Sequence, residues 1–519
     1  MIGKRYRILV VKGLSTKQIL IFFAILSVLS FLTLGRILNF HFWRDDWDRL
    51  WAANYSLNTS LANWAFSPDH HPGSTFEQMV GVKIFGFNPL YWQVFAIFLR
   101  VLNSSAVALM MYGITKSKKA AALAGIFFAV FAGGVESYTW VSAHTSALII
   151  FFFCLTVYFW VTRSKFSIPF LIITLAISPG RAFFAPFFLL IWDLGLFWRS
   201  STKRIDKSFL ARILSLILII LVVYVFLKMR FGYGLSFPAI FNPISLERMF
   251  SSLGNLFIGW ALPINEVAST VAFGALPAYM KVFSIAALVL GMFYFVYAAT
   301  NLINFIFKKD LKSHIYIFFL SIIGLSYIPN WFFDTTLEVA ISHRYLAVSS
   351  VGFVCLVAYA LSRNKNLATS FFMVFFVVAN ILTSNRILKS QYPYRSFELV
   401  ESLWNKIDKD VPKDQKLYLF IYQGEGMGRR MLLDWSGPGA FAIKRNINDI
   451  DYLPVVTDDR PLIASLVCDE TAQRPTAGGW RVRKEKIRVE NIYSWNYENG
   501  KLVNTSIATR EELKSICSI

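Results

Sequence analysis

The chain has 519 residues, 56% hydrophobic and 17% aromatic against only 16% charged, and its mean hydropathy is +0.51. Soluble globular chains carry about a quarter charged residues, so the composition excludes disorder and an ordinary water-soluble enzyme. The formal charge of +21 would indicate nucleic acid in a soluble protein. Here the basic residues gather in an amino-terminal tail, Lys4 to Lys17, and in short breaks between apolar runs. That is the signature of a cytoplasmic membrane face, and nucleic acid is not an expected partner.

The tail before Ile19 leads into an apolar run reaching about Phe40 without a small-residue cleavage site, the pattern of a retained anchor. Apolar runs then predict eleven transmembrane helices, at 19–40, 90–114, 120–137, 143–162, 166–179, 182–198, 208–229, 279–306, 313–330, 345–362 and 366–385. With a cytoplasmic tail, the breaks at Lys116 to Lys119, Arg163 to Lys165, Arg199 to Lys207, Lys308 to Lys312 and Arg363 to Lys365 all fall inside. The odd count puts the segment from Arg386 outside. Residues 231–278 contain Pro238, Pro243, Pro263 and Pro277 between short apolar runs, and read either as an interfacial helix or as a hairpin adding two short spans.

After about Gln391 the charge rises. A helix is expected from about Ser396 to Ile407, with strands at Lys416–Tyr422 and Ile487–Trp495 and a hairpin signal at Asn499-Gly500. The expected organisation is a cytoplasmic tail (1–18), a multi-span helical domain (19–390) with an external loop (41–89), and a small α/β or mainly β extracytoplasmic domain (391–519). Cys154 and Cys355 lie in apolar spans, whereas Cys468 and Cys517 lie in the polar segment, where they either pair or remain free thiols.

Beyond the first span stands His41-Phe-Trp-Arg-Asp-Asp-Trp-Asp48. Ionisable groups at a lipid boundary are costly unless hydrated or paired, so Arg44, Asp45, Asp46 and Trp47 form a candidate site, the alternative being an interfacial turn anchored by its Trp residues. Adjacent carboxylates raise one pKa and prepare a general base, or share a divalent cation such as Mg or Mn. On the same side fall His70 and His71 in the first loop, Glu136 and His144 around the third span, Arg181 in Ser178-Pro179-Gly180-Arg181, and His343-Arg344-Tyr345 before the tenth span. An Arg there clamps a lipid-linked phosphate bidentately or simply snorkels to head groups.

These residues resemble motifs of the GT-C superfamily of membrane glycosyltransferases, in particular the protein O-mannosyltransferase-like and transmembrane-TPR mannosyltransferase-like branch and its bacterial relatives. Asp45-Asp46 stands where that class has an acidic pair after the first span, and His70-His71-Pro72 stands in place of an aromatic and Arg-Pro element. Gly134-Val-Glu-Ser137 resembles its Glu-bearing motif. Ser342-His343-Arg344-Tyr345-Leu346 with Ser349-Ser350-Val351-Gly352 resembles its late-span element, His343 replacing a Glu.

The resemblance covers residues 19–385 and implies transfer of a sugar from a polyprenyl-phosphate carrier to a protein, lipid or glycan acceptor at the outer face of the plasma (inner) membrane. Inversion is implied, with Asp45 as base, Asp46 holding it or a metal, and Arg344, Arg181 and Tyr345 at the donor phosphate. Arg44, Trp47, His70, His71, Glu136, His144 and His343 would contact substrate. A transporter or flippase of lipid-linked saccharide is the alternative from another class, but it is expected to place polar residues near the midplane in both halves. A third reading is an envelope-polymer-binding membrane protein.

Overall fold

The computed structural model describes residues 15–43, 45–59, 71–200, 207–231, 243–261, 278–327, 344–364, 366–412, 419–423, 437–448, 454–457, 460–469, 473–475, 482–484, 487–498 and 501–517. Packing divides the chain into a helical unit (Met1–Gly35, Phe95–Tyr138 and Ser146–Ile387) and a mixed unit (Arg36–Val94, Thr139–Thr145 and Leu388–Ile519).

In chain order the first helices are α1 (Thr16–Leu34), α2 (Asp46–Thr59), α3 (Pro72–Phe85), α4 (Pro89–Thr115), α5 (Lys118–Val130) and α6 (Glu136–Thr139). They are followed by α7 (His144–Val161), α8 (Ser167–Ile177), α9 (Ala185–Arg199), α10 (Lys207–Phe231) and α11 (Pro243–Ile258). Then come α12 (Ala278–Lys308), α13 (Leu311–Leu325), α14 (Ala347–Ser362) and α15 (Leu367–Arg395).

Every expected span coincides with a helix. Among the described residues, seven stretches are long and apolar enough to cross a membrane: Thr16–Asn39, Pro89–Thr115, Val141–Val161, Lys207–Met229, Lys281–Lys308, Arg344–Ser362 and Leu367–Pro393. The other four helices, α5, α8, α9 and α13, are shorter than expected. Helix α5 stops at Val130 before Gly133-Gly134, and Pro179-Gly180 separates α8 from α9. Paired glycines lie at the first break and a Pro-Gly pair at the second, both unfavourable to a continuing helical ladder. Such interruptions at membrane depth persist only where other groups satisfy the freed backbone.

Helices α10 and α12 expose Leu218, Val222, Phe293 and Phe307. An apolar surface of that kind suits lipid rather than water. Helix α11 lies in the segment with two open readings and packs against α12. A Cβ on Gly254 would meet the Ala287 backbone and one on Gly291 the Phe250 backbone, so glycines permit the close crossing. Helix α15 continues to Arg395, ten residues beyond the expected end at 385, with Pro393 in its last turn.

The carboxyl-terminal part of the mixed unit is α/β. It contains α16 (Phe397–Asp410), β1 (Leu419–Gln423), α17 (Gly437–Arg445), β2 (Val455–Thr457), α18 (Arg460–Cys468), β3 (Gln473–Pro475), β4 (Val482–Lys484), β5 (Ile492–Glu498), β6 (Lys501–Asn504) and α19 (Ser506–Ile516). The main sheet runs β2-β1-β5-β6, with β1 parallel to β2 and β5, while β3 and β4 form a separate antiparallel pair.

Strands β5 and β6 pair antiparallel with Tyr497 opposite Leu502, flanking Asn499-Gly500, which itself lies outside the described residues. Strand β5 starts at Ile492 rather than Ile487, because a short 3-10 turn occupies Val489–Asn491. One core joins Trp404, Phe441 and Trp495 from this part to Phe42, Trp47 and Trp92 from the first loop and its following helix. Cys468 and Cys517 form a disulfide, with their Cα atoms 5.1 Å apart, tying α18 to the end of α19.

Candidate active site

In the mixed unit, the acidic motif begins α2. Asp46 is fully buried; its Oδ2 accepts from the Trp43 N–H at 3.0 Å and its Oδ1 from the Ser142 N–H at 2.7 Å. Asp46 therefore ties its own loop to residues 139–145. Burial and, after it, the neighbouring Asp45 carboxylate push its pKa up to about 6, against the opposing pull of the two N–H donors and Arg395.

Asp48 accepts from the Gly439 N–H at 2.7 Å, near the start of α17, where helix N–H groups favour an anion. Burial pushes Asp48 up to about 7 in spite of that bond. Asp45 and Asp48 both keep partial contact with solvent, but Asp45 pairs within its own helix turn rather than with remote backbone. The Asp45 side chain is 31% exposed, and its Oδ2 lies 3.5 Å from Arg49 Nε one turn along.

Around these acids sits a scaffold that the sequence did not reveal. Arg395, at the end of α15, is buried with its guanidinium over the rings of Trp43 (4.5 Å) and Phe40 (4.9 Å). It donates to Gln391 Oε1 at 3.0 Å and to the Thr139 carbonyl, while its own carbonyl accepts the His41 N–H at 2.7 Å. Trp140 Nε1 donates to the Trp43 carbonyl at 3.1 Å.

His41 stacks against Trp47 and Phe397. Its Nδ1 accepts the Phe42 N–H at 2.8 Å, so the proton on Nε2 is donated to Glu401 at 2.9 Å. Burial lowers the His41 pKa, and the bonds from His41 and Lys444 hold Glu401 down at about 2. Trp47, expected at the surface with substrate, is 4% exposed and packs on His41, Phe42 and Trp404; hydrophobic burial makes it part of the core. His144 is likewise buried, 3.2 Å from Glu77 Oε1. His71 immediately precedes α3, where its carbonyl accepts from Thr75 N. Arg44, His70 and His343 lie outside the described residues.

The helical unit brings together Glu136, Arg344, Tyr345 and Arg181. Glu136 follows the Gly133-Gly134 turn. Its Oε2 accepts the Arg344 backbone N–H at 3.0 Å and its Oε1 lies 3.5 Å from Arg344 Nη1. Gly134 has φ +73°, and a Cβ there would come 2.6 Å from the Ala347 Cα, so only glycine seats this turn against the start of α14. Both guanidinium groups lie over the Tyr345 ring, Arg181 at 4.8 Å and Arg344 at 4.9 Å. Arg181 Nη2 also donates to the Tyr345 hydroxyl at 3.5 Å.

The following Ser349-Ser350-Val351-Gly352 stretch does packing work. Ser349 bonds Ser326 at 2.8 Å, and a Cβ on Gly352 would meet the Phe319 carbonyl of α13 at 2.7 Å. Among the described residues, no group of three or more His, Cys, Asp and Glu side chains is arranged to hold a metal. Each Asp46 oxygen accepts one backbone N–H, from Trp43 and from Ser142.

No protein-family model and no curated protein matches this sequence. Among solved structures, the archaeal oligosaccharyltransferase AglB of Archaeoglobus fulgidus, in complex with an inhibitory peptide and a dolichol-phosphate, is 12% identical with a TM-score of 0.47, covering 88% of this chain and 68% of that one. The same enzyme in complex with Zn and sulfate is 12% identical with a TM-score of 0.48, covering 92% and 67%. ArnT of Cupriavidus metallidurans bound to undecaprenyl phosphate is 11% identical with a TM-score of 0.40, covering 85% and 90%.

Proposed function

We propose that this protein is a GT-C-type membrane glycosyltransferase that moves a sugar from a polyprenyl-phosphate carrier to a protein, lipid or glycan acceptor at the extracytoplasmic face. The observation that carries the reading is the pair of guanidinium groups over one tyrosine ring, with the Arg344 backbone and side chain both held by Glu136. Planar guanidinium groups bind phosphate oxygens bidentately, and the arrangement supports Arg344 and Arg181 as ligands of the donor phosphate.

Asp45 is the preferred base. Its solvent contact leaves it accessible to an acceptor, whereas Asp46 is committed to two backbone bonds. In the proposed step the acceptor oxygen forms its bond to the anomeric carbon as the carbon–oxygen bond to phosphate breaks. The electron pair stays on the phosphate, the acceptor proton passes to Asp45, and the configuration inverts. Phosphate already bears charge well, so the demand on the protein is stabilising its growing negative charge rather than protonating it. An outer-face location for the α/β part agrees with its disulfide, because such bonds persist in oxidising compartments.

The experiment is substitution at Arg344. Arg344→Lys keeps the charge but loses the planar fork, so it should raise KM for a polyprenyl-phosphate sugar and lower kcat, with Arg344→Ala worse in both. Unchanged kinetics in Arg344→Ala would remove this residue from the donor site.

A further inference from the structure

Arg100 stands eleven residues into the 27-residue helix α4 and is 1% exposed. A guanidinium buried in an apolar helical unit is costly unless it meets oxygen or aromatic partners. Its partners among the described residues come from one short stretch of chain. Nη2 donates to the Phe131 carbonyl at 2.6 Å and Nε to the Ala129 carbonyl at 3.5 Å, while the guanidinium lies over the rings of Phe128 (4.6 Å) and Tyr138 (4.7 Å).

The two carbonyls belong to the end of α5, where helix C=O groups lose their intrahelical donors and carry partial negative charge. Tyr138 lies beyond the glycine turn, and Asn103, one helical turn along from Arg100, donates to its hydroxyl at 2.7 Å. From another direction, Asn380 Oδ1 accepts the Ala132 N–H at 3.0 Å. Residues 131–135 are thus non-helical backbone whose entry and exit are both gripped by α4.

We infer that Arg100 is a positioning residue for the donor-phosphate site: it clamps the two ends of the Gly133-Gly134 turn and so fixes Glu136, which in turn holds Arg344. A structural cap needs only a short polar side chain. A full guanidinium spanning from the Phe131 carbonyl to the Tyr138 ring brackets Glu136 on both sides. The inference rests on the proposed role of Arg344, and its chain of atoms is continuous from Arg100 through the turn to Glu136 and the Arg344 N–H.

A double-mutant cycle on the full-length protein in lipid nanodiscs tests it, with binding of undecaprenyl phosphate as the readout. Arg100→Met and Glu136→Gln should each weaken binding about tenfold, and the double variant should be no more than about twofold weaker than the worse single, because coupled residues are not additive. Effects that multiply would overturn the inference while leaving the role of Arg344 intact. Arg344→Ala binding as wild type would instead dismiss the phosphate assignment.

Amide exchange at residues 134–138 separates the two failures, since it needs no ligand. Arg100→Met should accelerate it, and a wild-type exchange rate would refute the clamp itself. Should Arg100→Met not fold, Arg100→Lys, which keeps a donor but cannot bracket the turn, and Asn380→Ala replace it in the same measurements. Wild-type binding and exchange in both would overturn the proposal.

Discussion

Three carboxylates within four residues, Asp45, Asp46 and Asp48, divide into one paired locally with Arg49 and two that accept remote backbone N–H groups. This division was not legible in the sequence, because the partners are remote. Ser142 lies 96 residues from Asp46, and Gly439 lies 391 from Asp48. It makes separable predictions. Asp45→Asn keeps shape but cannot accept a proton, so turnover should fall about a hundredfold or more while the melting temperature holds. Asp46→Ala removes the acceptor of the part-buried Trp43 N–H and orphans the buried Ser142 N–H, the latter at a cost of about 1–3 kcal/mol, and should lower the melting temperature measurably. Asp48 provides a test by pH. Its pKa is about 7 when folded against a usual 3.8, so the folded chain retains a proton that the unfolded chain releases, and stability falls as pH rises through that window. Asp48→Asn retains an acceptor for the Gly439 N–H and has no such proton. Its melting temperature relative to wild type should climb between pH 4 and about 7 and level off above. A flat difference would reject the raised pKa. The lowered pKa of His41 works in the opposite sense below 6.5, and it cancels in the difference because both proteins have it.

The helices were legible where hydropathy alone decides and less so where single residues break a span. Among the described residues every expected span is helical, and the expected break between spans at 179 and 182 is present and carries Arg181, whereas α5 stops short of Gly133-Gly134, inside an expected continuous span, and that break leads into Glu136. The apolar run continues across Gly133-Gly134, so the sequence places Glu136 near a helix end without showing the turn that aims it. Arg100 and Arg395 carry no sequence signature either: Arg100 sits inside an apolar helix pattern, Arg395 lies ten residues beyond the expected end of the last span, and their partners are mostly backbone carbonyls and rings. Gly134 is the element-scale test. A left-handed φ costs a non-glycine residue about 1–2 kcal/mol, and the added Cβ would press on the Ala347 backbone at the start of α14. Gly134→Ala should therefore raise KM for the donor together with lowering the melting temperature. Unaltered donor kinetics would show that the turn does not set the position of Arg344.

At the scale of the whole molecule, charge distribution and hydropathy were enough to recognise a multi-span helical protein with a small α/β part, and alternation with the Asn499-Gly500 signal was enough to place the β5–β6 pair. What composition could not reveal is that the first loop, residues 139–145 and the carboxyl-terminal segment pack as one unit, since the stitching groups are His41, Asp46, Asp48 and Arg395 acting on backbone or side chains far along the chain. Transfer of a sugar from a polyprenyl phosphate is tested by the release of free polyprenyl phosphate from the purified, nanodisc-embedded protein given a panel of polyprenyl-phosphate sugars and candidate acceptors. Release is expected from one donor class, dependent on acceptor and reduced about a hundredfold or more by Asp45→Asn. Movement of intact lipid-linked sugar across the bilayer, with no release from any donor, would contradict it and establish a transporter instead.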